Sequence, residues 1–150
     1  INIAAYTGAR EGAIAECEYI AEHNLIRFPA KKREAKSRQI HIHPNVAESV
    51  VWWTNNKTPA QQTIANTFGK LKADLGFEKD VQCFHSFRHA LIQHLRANNV
   101  EQKTIQAIVG HKEAGVTAGR YGASQQLLDT VAEAIELIDY TRDDFVGTYD

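Results

Sequence analysis

The chain has 150 residues, 43% of them hydrophobic, with 9 glycines and 3 prolines, so it can bury one core and is most simply a single domain. A net charge of -1 excludes a uniformly basic nucleic-acid coat, and no apolar run approaches membrane-spanning length, so no membrane partner is expected. The two cysteines, Cys17 and Cys83, make neither a metal-type pair nor a disulfide framework, which fits a reducing, cytoplasmic setting.

The near-neutral total hides an uneven distribution. Arg27, Lys31, Lys32, Arg33, Lys36 and Arg38 are opposed only by Glu34, whereas Asp129, Glu133, Glu136, Asp139, Asp143, Asp144 and Asp150 face only Arg142. This segregation allows a basic working face and an acidic tail turned away from it. The start, Ile1-Asn2-Ile3-Ala4-Ala5-Tyr6, has neither an initiator Met nor a signal peptide's basic flank, and the expectation is a piece of a longer protein.

In chain order, Thr7-Gly8-Ala9-Arg10 predicts a turn leading into a helical stretch with Ile14 and Cys17 as its apolar positions. Arg10 falls in the first turn, where a cation is poorly placed for the helix dipole. It either reaches solvent or serves a function that outweighs the small cost. Leu25–Phe28 and Arg38–Ile42 alternate with period two and read as strands, joined across residues 29–37 into a hairpin with a positively charged tip. His41 and His43 form an i, i+2 pair on the second strand, but lack a Cys or carboxylate partner in fixed spacing and read as surface residues rather than metal ligands.

A helix from about Val46 to Trp53 follows, with Val46, Val50 and Trp53 at helical spacing and both tryptophans expected to pack. Thr58-Pro59-Ala60-Gln61 carries a capping Thr, Pro at the first helical position and Gln three residues after the cap. Ile64, Phe68, Leu71 and Leu75 then supply a stripe that Gly76 stops.

The stretch Phe84-His85-Ser86-Phe87-Arg88-His89 opens a helix that continues to Arg96. At the 3.6-residue period Phe87, Ala90, Leu91, His94 and Leu95 form one side, and His85, Arg88, His89, Ile92 and Arg96 the other. An imidazole and a guanidinium thus flank a helix start whose free N–H groups and dipole favour an anion, phosphate first. Asn99 reads as the N-cap of the next helix, with Gln102 at N3 and Gly110 ending it. His111 follows directly, where contact with the helix C-terminus is the ordinary role. Arg120-Tyr121-Gly122 sets a tyrosine in a polar, Gly-flanked context unlike that of a buried aromatic. Ser124 then caps a last amphipathic helix with Leu127, Leu128, Val131, Ile135 and Ile138 on one side.

Taken in order, Thr7-Gly8-Ala9-Arg10, the lysine-bearing hairpin, His85-x-x-Arg88, Gly110-His111 and Arg120-Tyr121-Gly122 resemble the catalytic domain of the tyrosine recombinases, the phage-integrase family. The resemblance implies a mainly α fold with a small β-hairpin or sheet over residues 1–122. Residues 123–150 would form a C-terminal helix and acidic tail, docked in cis or on a neighbouring protomer. It implies Tyr121 as the nucleophile that forms a 3′-phosphotyrosyl link to DNA, with Arg10 and Arg88 on the scissile phosphate and His85 and His111 beside it. Lys32 best matches the hairpin lysine that protonates the leaving 5′-oxygen, with Lys31 and Lys36 as alternatives. Arg27, Lys31, Arg33, Lys36, Arg38 and His89 are the expected DNA-contacting set. Double-stranded DNA is the implied partner, with a homo-oligomer (tetramer) on DNA, a monomer for the isolated fragment, and a bacterial or phage-encoded cytoplasmic setting.

These residue types suit phosphoryl transfer on general grounds. Its transition state concentrates negative charge on non-bridging oxygens, which guanidinium forks meet with paired charge-assisted hydrogen bonds. Tyrosine, with a reference pKa near ~10, needs cationic neighbours or a base to ionise, and a leaving alkoxide needs a proton that a lysine can supply. No motif calls for a metal, a nucleotide or any other cofactor. Two departures from the family pattern stand out: Ala13 where an acidic residue is common, and a slightly long interval from His111 to Tyr121. Two further readings remain, a type IB topoisomerase-like nicking-resealing enzyme and a non-catalytic DNA-binding or assembly module. A metal-dependent nuclease ranks far lower, since the seven histidines lack a matching acidic cluster.

Overall fold

The computed structural model describes residues 1–30, 37–56, 60–78, 81–110 and 125–140. Among these, seven α-helices surround one three-stranded antiparallel sheet. Helix α1 (Asn2–Thr7) ends where Gly8, at φ 60°, donates its N–H to the Ala4 carbonyl at 2.8 Å. Helix α2 (Glu11–Ile14) starts from Arg10, whose extended backbone makes it the N-cap. The helix is shorter than expected: Cys17 lies beyond it, buried at the entrance to strand β1 (Glu18–Ile20).

The hairpin forms as the alternation predicts. Strand β2 (Leu25–Phe28) pairs with β3 (Arg38–His41), with Ile26 opposite Ile40 and Phe28 opposite Arg38. Ile26, Phe28 and Ile40 are buried on one face while Arg27 and Gln39 lie exposed on the other, which is covered only at its end, where Leu25 is buried. The structure adds β1 on the free side of β2, Tyr19 opposite Ile26. Three residues are too few to show a period of their own, and only pairing makes Glu18–Ile20 a strand.

Helix α3 (Ala47–Asn55) buries Val50 and packs Trp53, whose Nε1–H donates to the Ile14 carbonyl at 2.9 Å. Trp52, expected to pack, is instead 64% exposed, because it points away from the side shared by Val50 and Trp53. Helix α4 (Gln61–Asp74) begins after Ala60; Thr58 and Pro59 lie outside the described residues. It stops at Gly76 as expected, with Phe77 N–H on the Lys72 carbonyl and Gly76 N–H on that of Ala73, both at 3.0 Å.

The same closure ends helix α5 (Ser86–Ala97), where Asn99 sits at φ 58° and Val100 N–H reaches the Leu95 carbonyl at 3.0 Å. Asn99 therefore terminates one helix rather than capping the next, a role its tolerance of left-handed backbone also permits. Helix α6 (Gln102–Val109) has Glu101 as its N-cap, puts Gln102 at its first position, and ends at Gly110, φ 73°. Helix α7 (Gln125–Glu136) lies against α6 and β3, with Val131, Ala134 and Ile135 in the core, as is Ile138 just beyond it; Ser124 lies outside the described residues. His94, expected on the apolar face of α5, is half-buried there and its Nε2–H donates to the Leu137 carbonyl at 3.0 Å. No helix of the described residues is long and apolar enough to cross a membrane.

Candidate functional site

The turn between α1 and α2 is held from within. Thr7 Oγ1 donates to the Ile3 carbonyl and accepts the Ala9 N–H at 3.2 Å, fixing the loop before Arg10. Gly8 leaves little room for a side chain: a Cβ there would lie 3.2 Å from both Leu91 Cδ2 and Val109 Cγ1. The turn is thus pressed onto α5 and α6 at once.

That close approach creates the central contact. Arg88 Nη1–H donates to the Gly8 carbonyl at 3.0 Å, across 80 residues of sequence, and Arg88 is only 2% exposed. Helical periodicity set Arg88 on the polar face with His85 and His89; the structure buries it, because the Gly8 turn closes over that face. A charge held in this way is costly to desolvate and must be met by hydrogen bonds. Arg10 follows two residues after the carbonyl that Arg88 grips and is half-buried, so both expected phosphate-binding arginines belong to one junction.

His85 precedes the first turn of α5, its carbonyl accepting the Arg88 N–H at 3.1 Å and the His89 N–H at 3.3 Å. Its ring meets that of His89 edge-on, with centroids 4.8 Å apart and planes at 85°. His85 is half-buried and His89 exposed. The helix start is braced on its far side by Phe68, Phe84 and Phe87, whose rings are 5.4 to 5.8 Å apart, and by Lys72 Nζ–H donating to the Gln82 carbonyl. Ser86 Oγ accepts the Cys83 N–H at 3.1 Å and so caps the loop feeding α5.

The basic residues separate. Arg27 pairs with its cross-strand partner Glu18 on the exposed face, an arrangement worth little in water but one that offsets its charge. Arg38 is 9% exposed, its guanidinium carbon 4.6 Å from the Phe28 ring centroid. Its place indoors was not legible from a run of basic residues, since it depends on Phe28 across the hairpin and on α6 behind. Lys31, Lys32, Arg33, Lys36, His111 and Tyr121 lie outside the described residues. His43 caps the turn at Pro44 by accepting the Asn45 N–H on Nδ1 at 3.1 Å, and stacks on Tyr6 at 4.7 Å. Burial lowers its pKa from the usual 6.5, against the opposing pull of Glu136 and Asp139. Among the described residues no three His, Cys, Asp or Glu side chains converge as a metal site would require.

The bond from Arg88 to the Gly8 carbonyl joins the turn that leads to Arg10 with the helix start that carries His85 and Arg88, and side chains of these types suit an anionic ligand. Residues 2–127 match the model of the phage integrase family. The chain belongs to that family.

A solved phage integrase shares the fold: the integrase from mycobacterium phage Brujita superposes with a TM-score of 0.69 at 18% identity, covering 95% of this chain and 53% of that one. The chain therefore spans about half the length of that protein. No curated protein matches it in sequence. Among the described residues the sheet is small and the helices dominate, the mainly α architecture with a β-hairpin that the sequence implied. Ala13 is fully buried in α2, so the position where the family pattern suggests a carboxylate is part of the core. Glu11, in the first turn of α2, and the exposed Glu16 are the nearest acidic residues in sequence.

Proposed function

We propose that this domain cleaves and rejoins DNA strands as a site-specific recombinase, through a 3′-phosphotyrosyl intermediate on Tyr121. The observation that carries the proposal is the bond from Arg88 to the Gly8 carbonyl, which unites the Thr7–Arg10 turn with the His85 helix start. Membership of the phage integrase family supports it. In this reading Arg10 and Arg88 bind the scissile phosphate, and His85 and His111 donate hydrogen bonds to it. Lys32, or Lys31 or Lys36 in its place, protonates the leaving 5′-oxygen. The tyrosyl oxygen attacks phosphorus, the P–O5′ bond breaks, and the 5′-hydroxyl later reverses the step, so the linkage energy is conserved without ATP. Arg33 and His89 would contribute to duplex contact, and the recombining assembly would be a tetramer on double-stranded DNA.

The test is a nicked suicide duplex, from which the cleaved strand end diffuses away. An SDS-resistant protein–DNA adduct that disappears in Tyr121→Phe is the expected result; an adduct unchanged by that substitution refutes the assignment. Loss of one arginine donor to the phosphate lowers the cleavage rate by roughly 100-fold or more. The burial of Ala13 favours a second reading, a DNA-binding or assembly module that retains the fold. Duplex binding without any adduct from the unsubstituted protein would support that module.

A further inference from the structure

Arg38 is the first residue of β3, opposite Phe28 in the hairpin register, and its guanidinium lies over that ring. Its other side meets the end of α6. A Cβ on Gly110 would come within 2.7 Å of Arg38 Nη1, 3.2 Å of Cδ and 3.3 Å of Cζ, so the guanidinium rests on the bare backbone of the helix cap. Gly110 is at φ 73° and its N–H closes α6 on the Gln106 carbonyl at 2.8 Å. A cation there faces the end of the helix where carbonyl dipoles accumulate negative charge.

We propose that Arg38 is a positioning residue for the strand-cleavage reaction. It acts by locking the C-terminus of α6 to the hairpin and not by touching DNA. A buried charge is a poor source of stability, and an apolar side chain of similar volume would fill the gap between Phe28 and α6 at lower desolvation cost. What the guanidinium adds is a flat cation that stacks on the ring and meets the helix end together, which fixes how the sheet and α6 sit against each other. Both joined pieces lead directly into segments that carry proposed catalytic groups. The chain enters β3 from the basic stretch 31–36 and leaves Gly110 for His111. The inference rests on the strand-cleavage reading above and assigns a role within it.

The experiment compares wild type, Arg38→Met, Arg38→Lys and Gly110→Ala on the suicide duplex, measuring duplex affinity, its salt dependence and the cleavage rate at saturating DNA. Arg38→Met is expected to slow cleavage by ~10-fold or more through misplacement alone. Duplex affinity should stay within about twofold and the salt slope unchanged, because no phosphate contact is lost. Gly110→Ala should reproduce this split, and the double substitution should be no slower than the more severe single, as expected for residues acting through one contact. Arg38→Lys, charged but without the planar fork, should fall between wild type and Arg38→Met. If Arg38→Met does not fold, Gly110→Ala and Arg38→Lys carry the test. A weaker affinity with a salt slope shallower by about one would instead make Arg38 a phosphate contact and overturn the proposal. An unchanged cleavage rate in folded variants would overturn it as well. Absence of a Tyr121-dependent adduct from wild type refutes the strand-cleavage reading itself, and this inference with it. A wild-type adduct with Arg38-insensitive kinetics refutes this inference alone.

Discussion

Replacing Gly8 by alanine tests the junction at its tightest point. Alanine at φ 60° carries a backbone cost of about 1–2 kcal/mol, since Cβ crowds the following carbonyl in the left-handed region. The added methyl then meets Leu91 Cδ2 and Val109 Cγ1 at 3.2 Å, and both residues are 0% exposed, with core on every side to resist displacement. Overpacking of that kind adds about 1–3 kcal/mol. Gly76 provides the internal reference: it has φ 73°, yet nothing lies within 4 Å of its would-be Cβ. Gly76→Ala should therefore lose only the backbone cost, and Gly8→Ala roughly 2–5 kcal/mol in total. For a chain of this size the latter lowers Tm by roughly 5–15 °C. Urea unfolding of the two variants reads the difference directly, as a shift in midpoint at unchanged slope. Equal losses for Gly8→Ala and Gly76→Ala would show that the turn is not pressed against α5 and α6. Below its unfolding transition, folded Gly8→Ala should also cleave the suicide duplex more slowly than wild type, because the carbonyl that orients Arg88 has moved.

Three other outcomes follow from specific contacts. Trp53→Phe keeps the packing of α3 but removes the Nε1–H bond to the Ile14 carbonyl, which still accepts the Cys17 N–H at 3.3 Å, so the expected cost is that of one hydrogen bond, about 0.5–1.5 kcal/mol; an unchanged urea midpoint would count against the bond. Burial pushes the Cys17 thiol up to about 11, so under native conditions Cys17 should alkylate far more slowly than the exposed Cys83, as mass spectrometry of a time course can show. The folded pKa is raised, so this thiol's contribution to stability is complete below its ordinary value of 9.0. It should be lost as pH rises toward about 11, and Cys17→Ala should flatten that part of the profile. His43 shows the opposite sign. Its pKa is lowered, so its contribution is present above 6.5 and lost on acidification, when protonated Nδ1 can no longer accept the Asn45 N–H; an NMR titration giving His43 a value at or above 6.5 would contradict this.

Much of the architecture was legible locally. Alternation set the hairpin strands, and Gly76 and Gly110 marked helix ends, because each signal is complete within a few residues. The order of short motifs along the chain was enough to resemble a family that the match over residues 2–127 then showed. Local signals failed where two roles share one residue type: Asn99 suits an N-cap and a left-handed helix end alike, and α5 used it for the second.

The tertiary structure alone decided which charges go inside. Helical period gave Arg88 a polar face, but whether that face meets water depends on the Gly8 turn, 80 residues away, which covers it and supplies an acceptor. The basic run gave Arg38 to the surface, yet Phe28 across the sheet and the side-chain-free backbone of Gly110 enclose it. Periodicity reports how a segment divides its own faces. The burial of a cation is set by distant groups that can pair with it or shield it, and only the folded chain brings those together.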